Sequence, residues 1–225
     1  MANEVLGERQ AFSIIKKAYA KLNRKPITTA STLRLQVPLT SNKTQFTFPI
    51  LQGDEQTVYN EAVLLNRADA FTCTSMGLFI GGLNADGTSN TTSNYPLFSY
   101  PSFAVNTAIT GVPNSLFFNS YLNISINNVQ YLQNYDTYRF YEAGVDQTGR
   151  IQATGGGTST IAALTDSVKG SNNGFVNLVP TLQFSGTNKI SISLNLPSAL
   201  TVTNSPILVL MFRGFLSLGA SNLNK

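Results

Sequence analysis

Residues 8 to 24 carry apolar side chains at a helical period. Ala11, Phe12, Ile15, Ala18, Tyr19 and Leu22 fall on one face, and Arg9, Lys16, Lys17, Lys21 and Arg24 spread over the other. The spacing predicts one amphipathic helix. Glu4 and Glu8 stand towards its N-terminal end and the lysines towards its C-terminal end, as the helix dipole favours. Pro26 ends the pattern. The chain therefore divides into a basic N-terminal helix or arm, 1–25, a short polar linker, 26–31, and a body, 32–225.

In the body the period changes from 3.6 to 2. Leu33, Leu35, Val37 and Leu39 alternate with polar residues, and so do Phe46, Phe48 and Ile50 after the turn Thr40-Ser41-Asn42-Lys43. This pattern predicts a β-hairpin with one face in the core. A second hairpin is predicted where Leu182 and Phe184 lead through Ser185-Gly186-Thr187-Asn188 into Ile190, Ile192, Leu194 and Leu196. Further strands are expected at 70–82, 97–103, 116–126, 129–135 and 207–218. Within the last, Ile207 to Phe212 are uninterruptedly apolar, so this strand should be buried on both faces in the middle of a sheet. With no helical pattern between strands, the fold class is all-β: an antiparallel sandwich or barrel with an N-terminal amphipathic helix. The polar stretches 84–94 and 146–174 read as long loops.

Charge sharpens this division. Six of the 15 basic residues lie in the first 25 positions (Arg9, Lys16, Lys17, Lys21, Arg24, Lys25) against only Glu4 and Glu8, so the formal charge of +4 belongs to the arm and the body is neutral. Charged residues make up 12% of the chain, while Ser, Thr and Asn supply 68 of its 225 residues. Neutral polar groups are cheaper to desolvate against a neighbour than charged ones, and such a surface suits repeated subunit contacts.

The residue inventory narrows the chemistry. With no histidine and Cys73 as the single cysteine, Ser-His-Asp and Cys-His catalysis, a disulfide within the chain and zinc sites of the usual kind are excluded. Gly155-Gly156-Gly157-Thr158 lacks the Lys-Ser/Thr of a phosphate loop, and Asn84-Ala85-Asp86-Gly87 lacks the remaining ligands of a calcium loop. We therefore expect no enzyme, no catalytic residue, no metal site and no cofactor. The N-terminus lacks the apolar run of an export signal, and the longest apolar stretch is far short of the about 20 residues that span a bilayer.

Two groups of residues stand out as contact candidates. Phe12, Ile15, Tyr19 and Leu22 are assigned to docking or membrane burial, and Lys16, Lys17, Lys21, Arg24 and Lys25 to contact with an anionic membrane or genome. An ordinary helix docked on its own or a neighbouring body is the third reading of the same pattern. The aromatic run from Phe117 to Tyr141 supplies Tyr131, Tyr135, Tyr138 and Tyr141 as subunit-interface candidates; filling the core, or stacking on a ligand, are the other readings.

The basic helix, the stretch Leu33-Arg34-Leu35-Gln36-Val37-Pro38-Leu39 running into Gln45-Phe46-Thr47-Phe48-Pro49-Ile50-Leu51, and the closing Leu210-Met211-Phe212-Arg213-Gly214-Phe215-Leu216 together resemble the jelly-roll coat proteins of small tailless icosahedral bacteriophages of flavobacteria and their relatives, some of which enclose an internal membrane. The resemblance lies in the order of features along most of the chain. It implies a major capsid protein made in the host cytoplasm and located in the virion shell, which self-assembles as homo-oligomeric capsomers beside other capsid proteins. Its N-terminal helix would face the internal lipid membrane or the genomic nucleic acid. The alternative is a β-sandwich binding module, such as a phage fibre, vertex or carbohydrate-recognition protein.

Overall fold

The computed structural model describes residues 2–20, 25–57, 59–84, 87–90, 92, 95–98, 109–110, 119–140 and 174–221. Two four-stranded antiparallel sheets face each other across one apolar core. The strands are β1 (Thr28–Pro38), β2 (Gln45–Thr47), β3 (Ala70–Gly81), β4 (Ile109–Thr110), β5 (Tyr121–Ile126), β6 (Val129–Asp136), β7 (Phe175–Ser185), β8 (Ile190–Asn195), β9 (Thr201–Val202) and β10 (Ile207–Ser217), preceded by the helix α1 (Ala2–Ala18). One sheet has the order β1-β10-β3-β7 and the other β2-β8-β5-β6, while β4 and β9 form a small separate pair. The pairing is nested. The outermost long strands β1 and β10 pair, then β2 with β8 and β3 with β7, around the innermost hairpin β5–β6.

Period-2 alternation builds the core from both sheets. Leu33 and Leu35 on β1, Leu208, Leu210 and Phe212 on β10, and Leu182 and Phe184 on β7 meet Phe46, Leu122, Ile124, Ile192 and Leu194 of the opposite sheet. Phe184 and Phe212 pack edge to face with ring centroids 5.3 Å apart. As its uninterrupted apolar run predicts, β10 lies between β1 and β3, with Leu208, Val209, Leu210 and Phe212 all buried.

The central strand β3 is buried along its whole length, and its inward positions change parity. Phe71 and Cys73 face the core, and so do Met76, Leu78 and Ile80. The switch occurs at Thr74, an extra residue opposite the Arg213–Gly214 step of β10, where the register shifts. The Thr74 hydroxyl donates to the Arg213 carbonyl at 3.1 Å. At this bulge the backbones come so close that a Cβ on Gly214 would stand 1.9 Å from the Thr72 carbonyl oxygen.

The two hairpins predicted from alternation are instead corners between the sheets. β1 pairs with β10 and β2 with β8, so the turn at 40–43 carries the chain from one sheet to the other. The turn is braced by the 200–206 segment: the Asn42 amide donates to the Leu200 carbonyl, and the Ser41 hydroxyl both accepts from the Val202 amide and donates to its carbonyl. The turn at 185–188 likewise joins β7 of one sheet to β8 of the other. There the Gly186 amide donates to the Asp69 carbonyl, and the Ser185 and Thr187 hydroxyls both donate to the Ser221 carbonyl. The true hairpin is β5–β6, whose two-residue turn Asn127-Asn128 has both φ angles positive, the conformation that matches the twist of paired strands.

The N-terminal boundaries also move. The helix spans Ala2–Ala18 where 8–24 was expected, which puts Lys16 and Lys17 in its last turn, an arrangement its dipole stabilises. Strand β1 starts at Thr28, inside the stretch read as a linker. The strand expected at 97–103 is represented in the described residues by one bridge, Phe98 to Ile80; of the expected loops, 85–86, 91 and 93–94 of the first and all but Gly174 of the second lie outside the described residues.

Candidate functional site

The helix α1 lies against the outer face of the β1-β10-β3-β7 sheet, touching β3, β7 and β10. Ala11, Ile15 and Tyr19 are buried, and Ile15 and Tyr19 form a small cluster with Ala70 of β3, Ala220 and the partly buried Phe215 of β10. Phe12 meets Phe215 edge to face, with centroids 5.0 Å apart, yet leaves 55% of its own surface in solvent. The expected apolar stripe is thus divided: Ile15 and Tyr19 are committed to the body, and Phe12 is shared between the body and the outside. Arg9, Lys16, Lys17 and Lys25 are exposed and take part in no ion pair among the described residues. Lys21, Leu22 and Arg24 lie outside the described residues.

The docking has one flaw. The Tyr19 hydroxyl is buried without a hydrogen-bond partner, which offsets part of what the small apolar cluster contributes. Among the described residues no helix is long and apolar enough to cross a membrane.

The opposite sheet presents a different surface. Strands β2, β5 and β8 contain no charged residue, and their outward positions are Gln45, Thr47, Asn123, Ser125, Ser191, Ser193 and Asn195 with Tyr121. Tyr131 of β6 and Tyr138 of the following 3₁₀ turn are about half exposed. Tyr135 differs from them. It is half buried against the core, 6.0 Å from the Phe140 ring, with the Arg139 guanidinium 5.2 Å over its own ring. Burial pushes its phenol pKa up, and Arg139 draws it partly back. Tyr141 lies outside the described residues.

Tyrosine exposure on β6 follows from two irregularities of this edge strand. Its register against β5 shifts between Leu122 and Ile124 and again between Ile124 and Ser125. At the first shift Asn134 takes a positive φ, and its amide donates to the Asn123 side-chain oxygen at 2.7 Å. These bulges twist the free edge and work against pairing with another strand, so contact through β6 is favoured by its side chains rather than by its backbone.

Sequence reasoning did not single out a third cluster. Tyr95, Arg34 and Gln36 meet on the outer side of β1, where the Tyr95 hydroxyl accepts from Gln36 Nε2 at 2.6 Å and from Arg34 Nη2 at 3.3 Å. The outward parity of Arg34 and Gln36 was readable from the sequence; the arrival of a tyrosine some 60 positions away had no local signal.

Family models, curated proteins and solved structures all yield no match to this chain. No three Asp, Glu or Cys side chains gather as potential metal ligands among the described residues.

Proposed function

We propose that this chain is a structural protein, a jelly-roll capsid subunit that self-assembles into an icosahedral virion shell as its major capsid protein. The observation that carries the reading is the nested pairing: eight strands in the orders β1-β10-β3-β7 and β2-β8-β5-β6, with the chain crossing between sheets at 40–43 and 185–188. This nested order supports an eight-stranded jelly roll, an architecture shared by viral capsid and lectin domains. Support for the capsid choice comes from polarity. The helix with its exposed Arg9, Lys16 and Lys17 and the tyrosine-bearing strand β6 lie on opposite sheets, as a wall subunit needs if one side meets an anionic interior while another meets its neighbours.

In this reading Arg9, Lys16, Lys17 and Lys25, with the exposed part of Phe12, face an internal lipid membrane or the genome, and Ile15 and Tyr19 anchor the helix to its own body. Tyr131 and Tyr138 contribute to contacts between copies, where tyrosine supplies contact area at low conformational cost. The test is the double exchange Tyr131→Ser and Tyr138→Ser. Both side chains are about half exposed, so the variant should keep its thermal unfolding temperature within a few degrees while the yield of assembled particles falls severalfold. Particle yield equal to that of the parent chain would remove the tyrosines from the interface.

A further inference from the structure

Of the four strands at sheet edges, three are unsuited to accept a further strand. β2 has only three residues, β6 is twisted by its two register shifts, and β7 loses its ladder between Asn177 and Leu182, where Pro180 has no N–H to offer. The first half of β1 is different. It pairs with β10 without a register shift from Thr28 onwards, and Arg34 sends both its N–H and its C=O away from β10, to Val63. Backbone groups of an antiparallel strand alternate in direction, so Thr28, Ala30 and Thr32 point theirs the same way as Arg34. There they meet no partner among the described residues. The open stretch is bounded at one end by Pro26, which lacks an N–H, and at the other by the bridge from Arg34 to Val63. Between them Ile27-Thr28-Thr29-Ala30-Ser31-Thr32-Leu33 holds no charge, proline or bulge, the features that ordinarily protect an edge.

We infer that this edge pairs with the same edge of a second copy of the chain, antiparallel about a two-fold axis at Ala30. The sequence is self-complementary about that residue. Reversed on itself, Thr28 comes opposite Thr32, Thr29 opposite Ser31 and Ile27 opposite Leu33, with Ala30 facing its own counterpart. In this register the outward N–H and C=O groups of Thr28, Ala30 and Thr32 all find partners, as the hydrogen-bonded pairs of an antiparallel ladder. A shift by two residues would set Thr32 against Pro26, or Thr28 against Arg34, whose N–H and C=O are already taken, and a hydrogen-bonded pair would be lost. Cross-strand threonine pairs add side-chain contact. The intervening positions are the closer pairs, and there Ile27, 68% exposed in the single chain, is laid beside the second copy's Leu33 at the rim of its core. A two-fold contact needs one patch that complements itself, and this stretch is such a patch. The helix α1 rests mainly on β7 and β3, at the far side of the sheet from the joint. The pairing does not depend on the capsid reading, since it forms a dimer with or without a shell.

Cysteine cross-linking on the full chain reads the register. Ala30→Cys stands opposite itself and should form a disulfide-linked dimer under mild oxidation, whereas Thr28→Cys, beyond disulfide reach of its own counterpart, should stay unlinked; the native Cys73 is buried and does not compete. Sedimentation of the parent chain beside Ala30→Pro and Ala30→Lys measures the contact itself. Proline removes an outward N–H without touching the bonds to β10, and lysine sets like charges against each other across the axis, so each should raise the dimer dissociation constant about tenfold or more. Ala30 is exposed, and the lysine variant keeps the test decisive if the proline variant fails to fold. The proposal is overturned if Ala30→Cys remains unlinked, if Thr28→Cys links equally well, or if Ala30→Lys associates like the parent. Closed particles formed by Ala30→Lys as readily as by the parent would leave the shell standing and remove this pairing. Cross-linked Ala30→Cys dimers from a chain that never yields particles would support the pairing and contradict the shell.

Discussion

Single residues at the bulge of β3 determine how the core closes. Thr74 is the extra residue that moves the inward positions from Phe71 and Cys73 to Met76, Leu78 and Ile80, and Gly214 is the residue opposite that lets the backbones approach. A Cβ placed 1.9 Å from a main-chain oxygen cannot be relieved by a side-chain rotation, so Gly214→Ala should destabilise the fold by about 3 kcal/mol, measured by denaturant unfolding. A change below about 0.5 kcal/mol would show that the two strands separate easily there. Cys73, one position before the bulge, is fully buried, and burial pushes its thiol well above the ordinary value while its Sγ donates to the Ser75 carbonyl. Since the thiolate is the reactive form, Cys73 should resist alkylation in the native protein at pH 8 and react as soon as denaturant unfolds it. Rapid native alkylation would contradict the packing described.

Elements were legible in the sequence where one rule governs them, and illegible where partners are chosen over distance. The alternation at 33–39, 46–50 and 190–196 identified strands, and the unbroken run at 207–212 identified the central one, because side-chain period reports burial directly. Alternation does not report the partner. Two successive strands in opposite sheets both turn one face to the core, so 33–50 and 182–196 look the same whether they form hairpins or corners. The distinguishing contacts come from residues 200–206, 69 and 221, far along the chain. Among the described residues the hairpin is β5–β6; the strands expected at 116–126 and 129–135 left only Asn127-Asn128 between them, a residue type that tolerates a positive φ, but the sequence reading did not pair them. At the candidate surfaces, the period of α1 placed Ile15 and Tyr19 on the apolar face, but nothing local specified that Phe215, Ala70 and Ala220 would cover them. This packing redefines how the arm is tested. Deleting it would uncover an apolar patch, whereas Lys16→Glu with Lys17→Glu leaves the buried side untouched and takes the formal charge from +4 to zero. The double variant should keep its unfolding free energy within about 2 kcal/mol of the parent, and should lose co-sedimentation with anionic lipid vesicles, single-stranded DNA or both. Unchanged binding to both would leave α1 as a structural strap alone.

At the scale of the whole molecule, two opposed surfaces follow from one sandwich. The outer face of the β1-β10-β3-β7 sheet is met at β3, β7 and β10 by a helix that exposes Arg9, Lys16 and Lys17; the strands β2, β8 and β5 of the other sheet carry no charged residue, are rich in hydroxyl and amide groups, and are edged by β6 with the exposed Tyr131 and Asp136. Between them sits a core to which both sheets contribute, and the nested order of strands places β10, β3, β8 and β5 inside their sheets while β1, β7, β2 and β6 form the edges. A subunit with this polarity is suited to a closed shell of many copies, in which neutral faces desolvate at modest cost and the charged side stays directed inward. The central claim is assembly. Sedimentation of the purified full chain, followed by electron microscopy of the fastest fraction, tests it directly: capsomers or closed particles of uniform diameter are the predicted result. A single boundary at the mass of one 24.3 kDa chain across concentrations and salt conditions would contradict it.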